Sequence, residues 1–261
     1  MQQRHKDHNI YFNEQAECMR RYVIPYIEQQ VPVTANTRVL EIGCGEAGNL
    51  KPFLDLGCYC VGVDIDQPRL EIGRTHYVGH PYEDRIQFIC SDIYDVSRKD
   101  IGGGVNIIIL RDVIEHIPHQ ERFMHNLKQF MDSDTIVFFG FPVWCNPFGG
   151  HQQICQSKIL SHLPWIHLLP RWLYKSILRL GGEQRGTINE LLSVKTTGMS
   201  IHRFEHILRD EHYCVLQHTH YLINPNYEIK FGLRPRVIPR ALQLPYLSDF
   251  YTTAMYYLIS L

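Results

Sequence analysis

The sequence predicts an α/β protein with a doubly wound, mostly parallel sheet, and three observations point there. Five strand-length apolar runs alternate with helix-length segments between residues 38 and 141. The fourth run, Val105-Asn106-Ile107-Ile108-Ile109-Leu110, is apolar almost throughout, as a strand buried on both faces should be. The first run enters a glycine-rich turn, Gly43-Cys44-Gly45-Glu46-Ala47-Gly48, and 16 residues after Gly48 the second run ends on the carboxylate of Asp64. Strands and helices alternating at this spacing imply right-handed crossovers and a parallel sheet.

Taken in order, residues 11–30 read as one amphipathic helix, with Tyr22, Ile24, Tyr26 and Ile27 among its apolar positions. Arg38–Ile42 is strand one. A helix over about 48–56 should stop at Gly57, a plausible left-handed terminator. Tyr59–Asp64 is strand two, 67–77 a helix, Ile86–Cys90 strand three and 105–110 strand four. A helix over 121–131 leads to strand five at 135–141, closed by Pro142. The rhythm then breaks. Residues 143–197 carry Pro147, Pro164, Pro170 and several glycines around an apolar, aromatic middle, and read as an inserted, mainly helical cap. A helix over 200–211, a strand over Cys214–Ile223, an irregular excursion over 224–247 and a closing strand over 251–261 complete seven strands. The expected domains are a core of 1–142 plus 198–261, and the cap.

Composition narrows the function classes. With 261 residues the chain holds one large α/β domain and an appendage. The net charge of −1 gives no global electrostatic case for nucleic acid. Its first eight residues are too polar for a signal peptide, and no apolar run approaches the roughly 18 residues that span a bilayer. Cytoplasm is the expected compartment. The eight cysteines contain no C-x-x-C, and several sit in apolar strands, so they are expected to be structural thiols.

The glycine spacing fits G-x-G-x-x-G and by itself does not separate a dinucleotide from other adenosine cofactors. Glu41 tips the balance. A buried acid two residues before the first glycine is of little use beside a pyrophosphate but suits a cationic ligand. Glu41–Gly48, Asp64, Ser91-Asp92 and the segment from Leu110 to Ile117 all fall at the carboxyl ends of successive strands, where open α/β sheets bind ligands.

Together these motifs resemble the class I S-adenosylmethionine-dependent methyltransferases, particularly the small-molecule group with an E-x-G-C-G-x-G loop and a D-V-x-E-H segment after strand four. The likeness covers roughly residues 10–142 and, weakly, 198–223. It implies a Rossmann-like sheet of seven strands with the last antiparallel, and S-adenosylmethionine as cofactor. It also implies that the Gly43-Cys44-Gly45 turn passes under the methionine part while Glu41 orients loop and ligand. Asp64 would hold the ribose hydroxyls with Ile65 packed on the adenine. Asp92 would accept from the adenine amino group, flanked by Ile93, and the Arg111 carbonyl would approach the methionine ammonium.

Asp112, Glu115 and His116 are the candidate catalytic residues. In a helical turn they would share one face. His116 would then act as general base for a substrate hydroxyl. The same trio offers mixed ligands for a divalent metal, as in some quinone-ring O-methyltransferases of similar motif, or a polar network that orders the turn; no metal is assigned. Tyr11, Trp144 and His151 are candidate acceptor-pocket residues. Residues 145–195 carry a net +4 and 224–247 a net +3, leaving −8 elsewhere. A basic, aromatic cap over an acidic core fits an anionic, lipid-linked or nucleotide-linked metabolite, or peripheral contact with an anionic membrane surface. The reading is therefore methyl transfer to an oxygen or nitrogen of a small or medium-sized metabolite. Its rivals are an NAD-dependent oxidoreductase, which needs a second mononucleotide half, and a catalytically silent cofactor-binding or membrane-associated scaffold.

Overall fold

A computed structural model describes residues 7–261; residues 1–6, within the first eight read as too polar for a signal peptide, lie outside the described residues. Eight strands form a single sheet in the order β3-β2-β1-β4-β5-β8-β6-β7. They are β1 Arg38–Ile42, β2 Tyr59–Asp64, β3 Ile86–Cys90, β4 Ile107–Arg111, β5 Ile136–Phe141, β6 Cys214–Ile223, β7 Arg236–Val237 and β8 Ala254–Ser260. The first five run parallel, with Glu41 opposite Gly62 and Ile109. β8 inserts antiparallel between β5 and β6. The expected architecture holds, but the strand count of seven was one short. The missed strand, β7, is two residues long and lies inside the stretch read as irregular. Pro235 and Pro239 bracket it, and a segment so short carries no alternating pattern.

The chain order begins with α1 (His8–Cys18), whose first turn is capped by Asp7 accepting from the Ile10 amide. A π-helical turn follows at Met19–Val23, then α2 (Ile24–Ile27). The single helix expected over 11–30 is thus interrupted. Pro25 has no amide hydrogen to return to the Arg21 carbonyl, and the wider turn just before it absorbs that loss. α3 (Lys51–Asp55) starts later than expected. The residues before it are tied up in the glycine turn, where Gly48 lies so close to the Phe12 carbonyl that a Cβ would come within 2.7 Å of it. α4 (Gln67–Thr75) and α5 (Gln120–Leu127) complete the crossovers.

The segment 143–197 between β5 and the next core helix, called the cap below, contains α6 (Lys158–His162), α7 (Arg171–Leu180) and α8 (Arg185–Thr197). Beyond it come α9 (Ile201–Asp210), capped by Ser200, and α10 (Pro225–Phe231), a helix the sequence reading had left irregular. Two apolar clusters cover the two faces of the sheet, one around Ile108, Leu110, Phe139 and Phe204, the other around Val39, Phe53, Ile107 and Phe138. The cap gathers a separate cluster of Cys155, Leu160, Ile166, Tyr174, Leu178, Ile188, Leu191 and Leu192. This construction leaves the carboxyl edge of β1–β4 free to carry polar groups, with the strand order reversing between β1 and β4. No helix among the described residues is long and apolar enough to cross a membrane.

Candidate active site

The turn after β1 is fixed by the end of β2. The amides of Gly43 and Cys44 donate to the Val63 carbonyl at 2.8 and 3.1 Å, and the Gly45 amide donates to Asp64 Oδ2 at 2.6 Å. Asp64 Oδ1 accepts from the Asp66 amide at 2.9 Å. A carboxylate has about four acceptor positions, so both oxygens retain capacity toward hydroxyl donors. Gly43 has φ 71°, and a Cβ there would meet Val113 Cγ2 at 2.7 Å, so neither backbone nor space admits a side chain. The Arg69 guanidinium lies over Gly45, close to the Tyr11 ring (5.9 Å).

Glu41 is 1% exposed and lies beneath this turn. Asn49 Nδ2 donates to its Oε1 at 2.6 Å, and Arg111 Nη1 donates to Asn49 Oδ1 at 2.8 Å. The other oxygen, Oε2, has no hydrogen-bond partner among the described residues. Burial pushes the carboxyl up to about 8, against the pull of Asn49 and Arg111. This acid therefore gains from a cation brought to the turn. Asn49 was missed by sequence reasoning; a lone amide after a glycine carries no motif, and only its place between Glu41 and Arg111 reveals it. The Cys44 thiol, also at this turn, is raised well above its ordinary value by burial and is chemically quiet.

Along the edge, Ile65 is 75% exposed, an open apolar ledge beside Asp64. Asp92 is exposed and its Oδ1 accepts from the Tyr94 amide at 3.1 Å, while Ile93 packs partly into the core.

After β4 the backbone does not form the helical turn expected of Asp112–His116. Asp112 takes a left-handed φ of 56°, and a short 3₁₀ turn runs over Ile114–His116. Asp112 is consequently not among the ligand-type side chains that gather within 4.8 Å of one another here. Asp112 faces the N-terminal side, in the field of Tyr11, Lys230 and Tyr227. Lys230 and Tyr227 stand on α10, which packs on α1. Sequence reasoning counted Lys230 only as a basic residue, because nothing local links it to Asp112.

Glu115 and His116 are joined instead by His151 from the cap. Glu115 Oε1 lies 3.9 Å from His116 Nε2 and 4.0 Å from His151 Nε2, and the two imidazole centroids are 5.0 Å apart. Glu115 is 3% exposed with neither oxygen hydrogen-bonded among the described residues. Burial, with Asp112 nearby, raises its carboxyl well above the usual range. Burial lowers His116 despite the opposing pull of Asp112, and lowers His151 to about 3. Both imidazoles are thus neutral near pH 7.

The cap is fastened onto this turn. Thr197 Oγ1 donates to the Glu115 carbonyl at 2.5 Å, and Gln120 Nε2 spans the Ile114 and Thr197 carbonyls at 2.8 and 2.6 Å. The Trp144 amide donates to the Met199 carbonyl at 2.8 Å, and His167 Nε2 donates to the Trp144 carbonyl at 2.8 Å. Tyr11, Trp144 and His151 are all partly buried. Tyr11 lies on the Asp112 side and His151 on the Glu115 side.

Comparison with known proteins bears on the fold and the family. The chain is 26% identical over 116 residues to the ubiquinone biosynthesis O-methyltransferase of Coxiella burnetii, covering 44% of this chain and 47% of that protein. It is 24% identical over 106 residues to a sterol 4-C-methyltransferase of Caenorhabditis elegans, covering 41% and 31%. The alignments thus span half or less of these relatives. A plantazolicin methyltransferase in complex with SAH superposes with a TM-score of 0.57 at 12% identity, covering 99% of this chain and 87% of that one. The magnesium protoporphyrin IX methyltransferase of Synechocystis gives 0.54 at 13% identity, covering 97% and 87%. At such identities the likeness establishes the fold. Residues 14–181, more than half of the chain, match the methyltransferase domain family, and the chain belongs to that family.

Proposed function

We propose that the chain transfers a methyl group from S-adenosylmethionine to an oxygen or nitrogen of a small or medium-sized acceptor. The observation that carries this reading is the buried Glu41 carboxyl under the glycine turn, with one oxygen unpartnered among the described residues and the other held by Asn49, which Arg111 in turn holds. A sulfonium and an ammonium answer that need; a pyrophosphate does not. The sheet supports the same choice. Past β5 it continues through antiparallel β8, so the second parallel half expected of a dinucleotide dehydrogenase does not follow.

When bound, the cofactor supplies a methyl already activated for in-line displacement, with sulfur leaving on its bonding pair. What remains for the chain is alignment and control of the acceptor's proton. Glu41 and the Gly43-Cys44-Gly45 turn orient the methionine part, with the Arg111 carbonyl at its ammonium. Asp64 takes the ribose hydroxyls, Ile65 lies against the adenine, and Asp92 accepts from its amino group beside Ile93. His116, neutral and 44% exposed, accepts the acceptor's proton in the cation-free protein. Glu115 and Asp112 bias that proton, one from each side of the turn.

Residues 143–197 act as the acceptor cap. The exposed Ile159 (75%), Trp172 (70%) and Leu180 (89%) lie among its basic residues, and Lys230 adds a cation at the Asp112 side. An amphiphilic, anionic acceptor fits this lining, as does peripheral contact with an anionic membrane surface. Eight cysteines with no disulfide among the described residues fit a reducing compartment such as cytoplasm. The test is transfer of labelled methyl to hydroxylated metabolites, anionic and neutral, with vesicle co-sedimentation run alongside. The reading expects turnover with an anionic acceptor. Vesicle binding without turnover on any acceptor would favour the scaffold instead.

A further inference from the structure

The meeting of Glu115 with the imidazoles of His116 and His151 is left unexplained by cofactor binding. A carboxyl that is 3% exposed with both oxygens unpartnered among the described residues is costly unless a proton or a cation meets it. One ligand atom from each of Glu115, His116 and His151 lies within 4.8 Å of the other two. We propose that these three side chains hold a divalent transition-metal ion that pins the cap to the turn after β4. The proposal deepens the acceptor-side reading above and rests on it.

The donor set limits the metal. Two imidazoles and one carboxylate favour zinc, cobalt, iron or manganese over calcium or magnesium. Ligand atoms about 2.0–2.2 Å from an ion stand roughly 3.0–3.6 Å apart for the common geometries. The observed 3.9 and 4.0 Å need only a small inward rotation of the rings. Three protein ligands leave positions open, as sites that act on a substrate do. Asp112, although it opens the D-V-I-E-H segment, is not in this group: its backbone is left-handed and its side chain is 53% exposed.

His151 is presented by a loop that has little freedom. Its own φ is 58°, and added Cβ atoms at Gly149 and Gly150 would come within 2.3 Å of the Trp144 carbonyl oxygen and 2.2 Å of the His167 Cβ. Thr197 holds the Glu115 backbone from the other side. A left-handed residue on one side and a buried hydrogen bond on the other hold His151 and the unpartnered Glu115 in place. A cation there would lower the pKa of an acceptor hydroxyl, with His116 serving as ligand instead of base.

Cobalt(II) titration of the chelator-treated protein tests this, read by visible ligand-field absorption and by calorimetry. One ion per chain is expected, with affinity at least tenfold weaker in His151→Ala and in Glu115→Gln, and unchanged in His162→Ala, a cap-surface histidine. Far-ultraviolet circular dichroism checks each fold; if Glu115→Gln fails to fold, His151→Ala decides. Equal cobalt affinity in wild type and His151→Ala, or no saturable band, overturns the site. S-adenosylhomocysteine binding, measured on the same samples, reads the methyltransferase assignment separately. It should persist within twofold in both variants, so its loss in wild type would break that assignment and not the metal site.

Discussion

The turn after β1 and the segment after β5 both present polar groups at the same sheet edge, by different means. The turn is fixed locally: Gly43, Cys44 and Gly45 donate to Val63 and Asp64, at the end of the neighbouring strand. The segment after β5 is fixed at long range. Its Trp144 is held by Met199 and His167, and the end of α8 reaches back through Thr197 to Glu115. The first construction can be read from neighbouring residues in the chain; the second brings together residues distant in sequence and is visible only in the packing.

If the two regions are independent, substitutions should separate them. The largest effect is expected for His116→Ala: kcat should fall by about 10²–10⁴, while S-adenosylhomocysteine affinity changes by less than twofold. A parallel loss of cofactor affinity would show the regions to be one. Asp64→Ala should do the reverse. Hydrogen bonds to a charged group contribute about 1.5–3 kcal/mol each, so steady-state and calorimetric measurements should find the cofactor Kd raised by roughly 10–10³-fold. Unchanged affinity would mean that the ribose lies elsewhere.

Gly43→Ala tests the local construction. A φ of 71° and the 2.7 Å approach to Val113 predict a cost of about 1–3 kcal/mol. In a chain of this size that is a Tm lowered by roughly 2–10 °C, with cofactor binding weakened as well. A Tm equal to wild type would show the turn to be slack.

The smallest effect is a proton. Glu41, raised to about 8 in the free protein, holds its proton at pH 7. A cationic ligand favours the ionised form, so binding of S-adenosylmethionine at pH 7 should release up to one proton, and binding above pH 9 should release none. Calorimetry in buffers of different ionisation enthalpy reads this directly, and Glu41→Gln should abolish it. The same shift has a stability consequence. Because the folded-state value lies above the unfolded one, the penalty for ionising Glu41 is absent below pH 4.5, grows as pH rises and is complete above pH 8.

Much of the fold was legible in sequence because its signals are local. Arg38–Ile42, Tyr59–Asp64, Ile86–Cys90 and Cys214–Ile223 have the bounds their apolar patterns indicated. The misses have physical reasons. Pro25 interrupts a helix whose apolar spacing continues through it, and β7 exists only because β6 offers it an edge. On the candidate site, Glu41 and Asp64 stood out because each sits at a strand end beside glycines. Asn49, Lys230 and the partnership of His151 with Glu115 were not legible, since each depends on a tertiary contact with no local pattern. The left-handed backbone at Asp112 and the short 3₁₀ turn after it likewise replace the helical turn that the i, i+3, i+4 spacing suggested.

The central claim is that the Glu41–Gly48 turn is a methyl-donor site and not a dinucleotide site. Calorimetric titration of the full chain with S-adenosylhomocysteine and, separately, with NADH tests it most directly. The account predicts saturable one-to-one binding of S-adenosylhomocysteine and none of NADH; saturable binding of NADH with none of S-adenosylhomocysteine would contradict it.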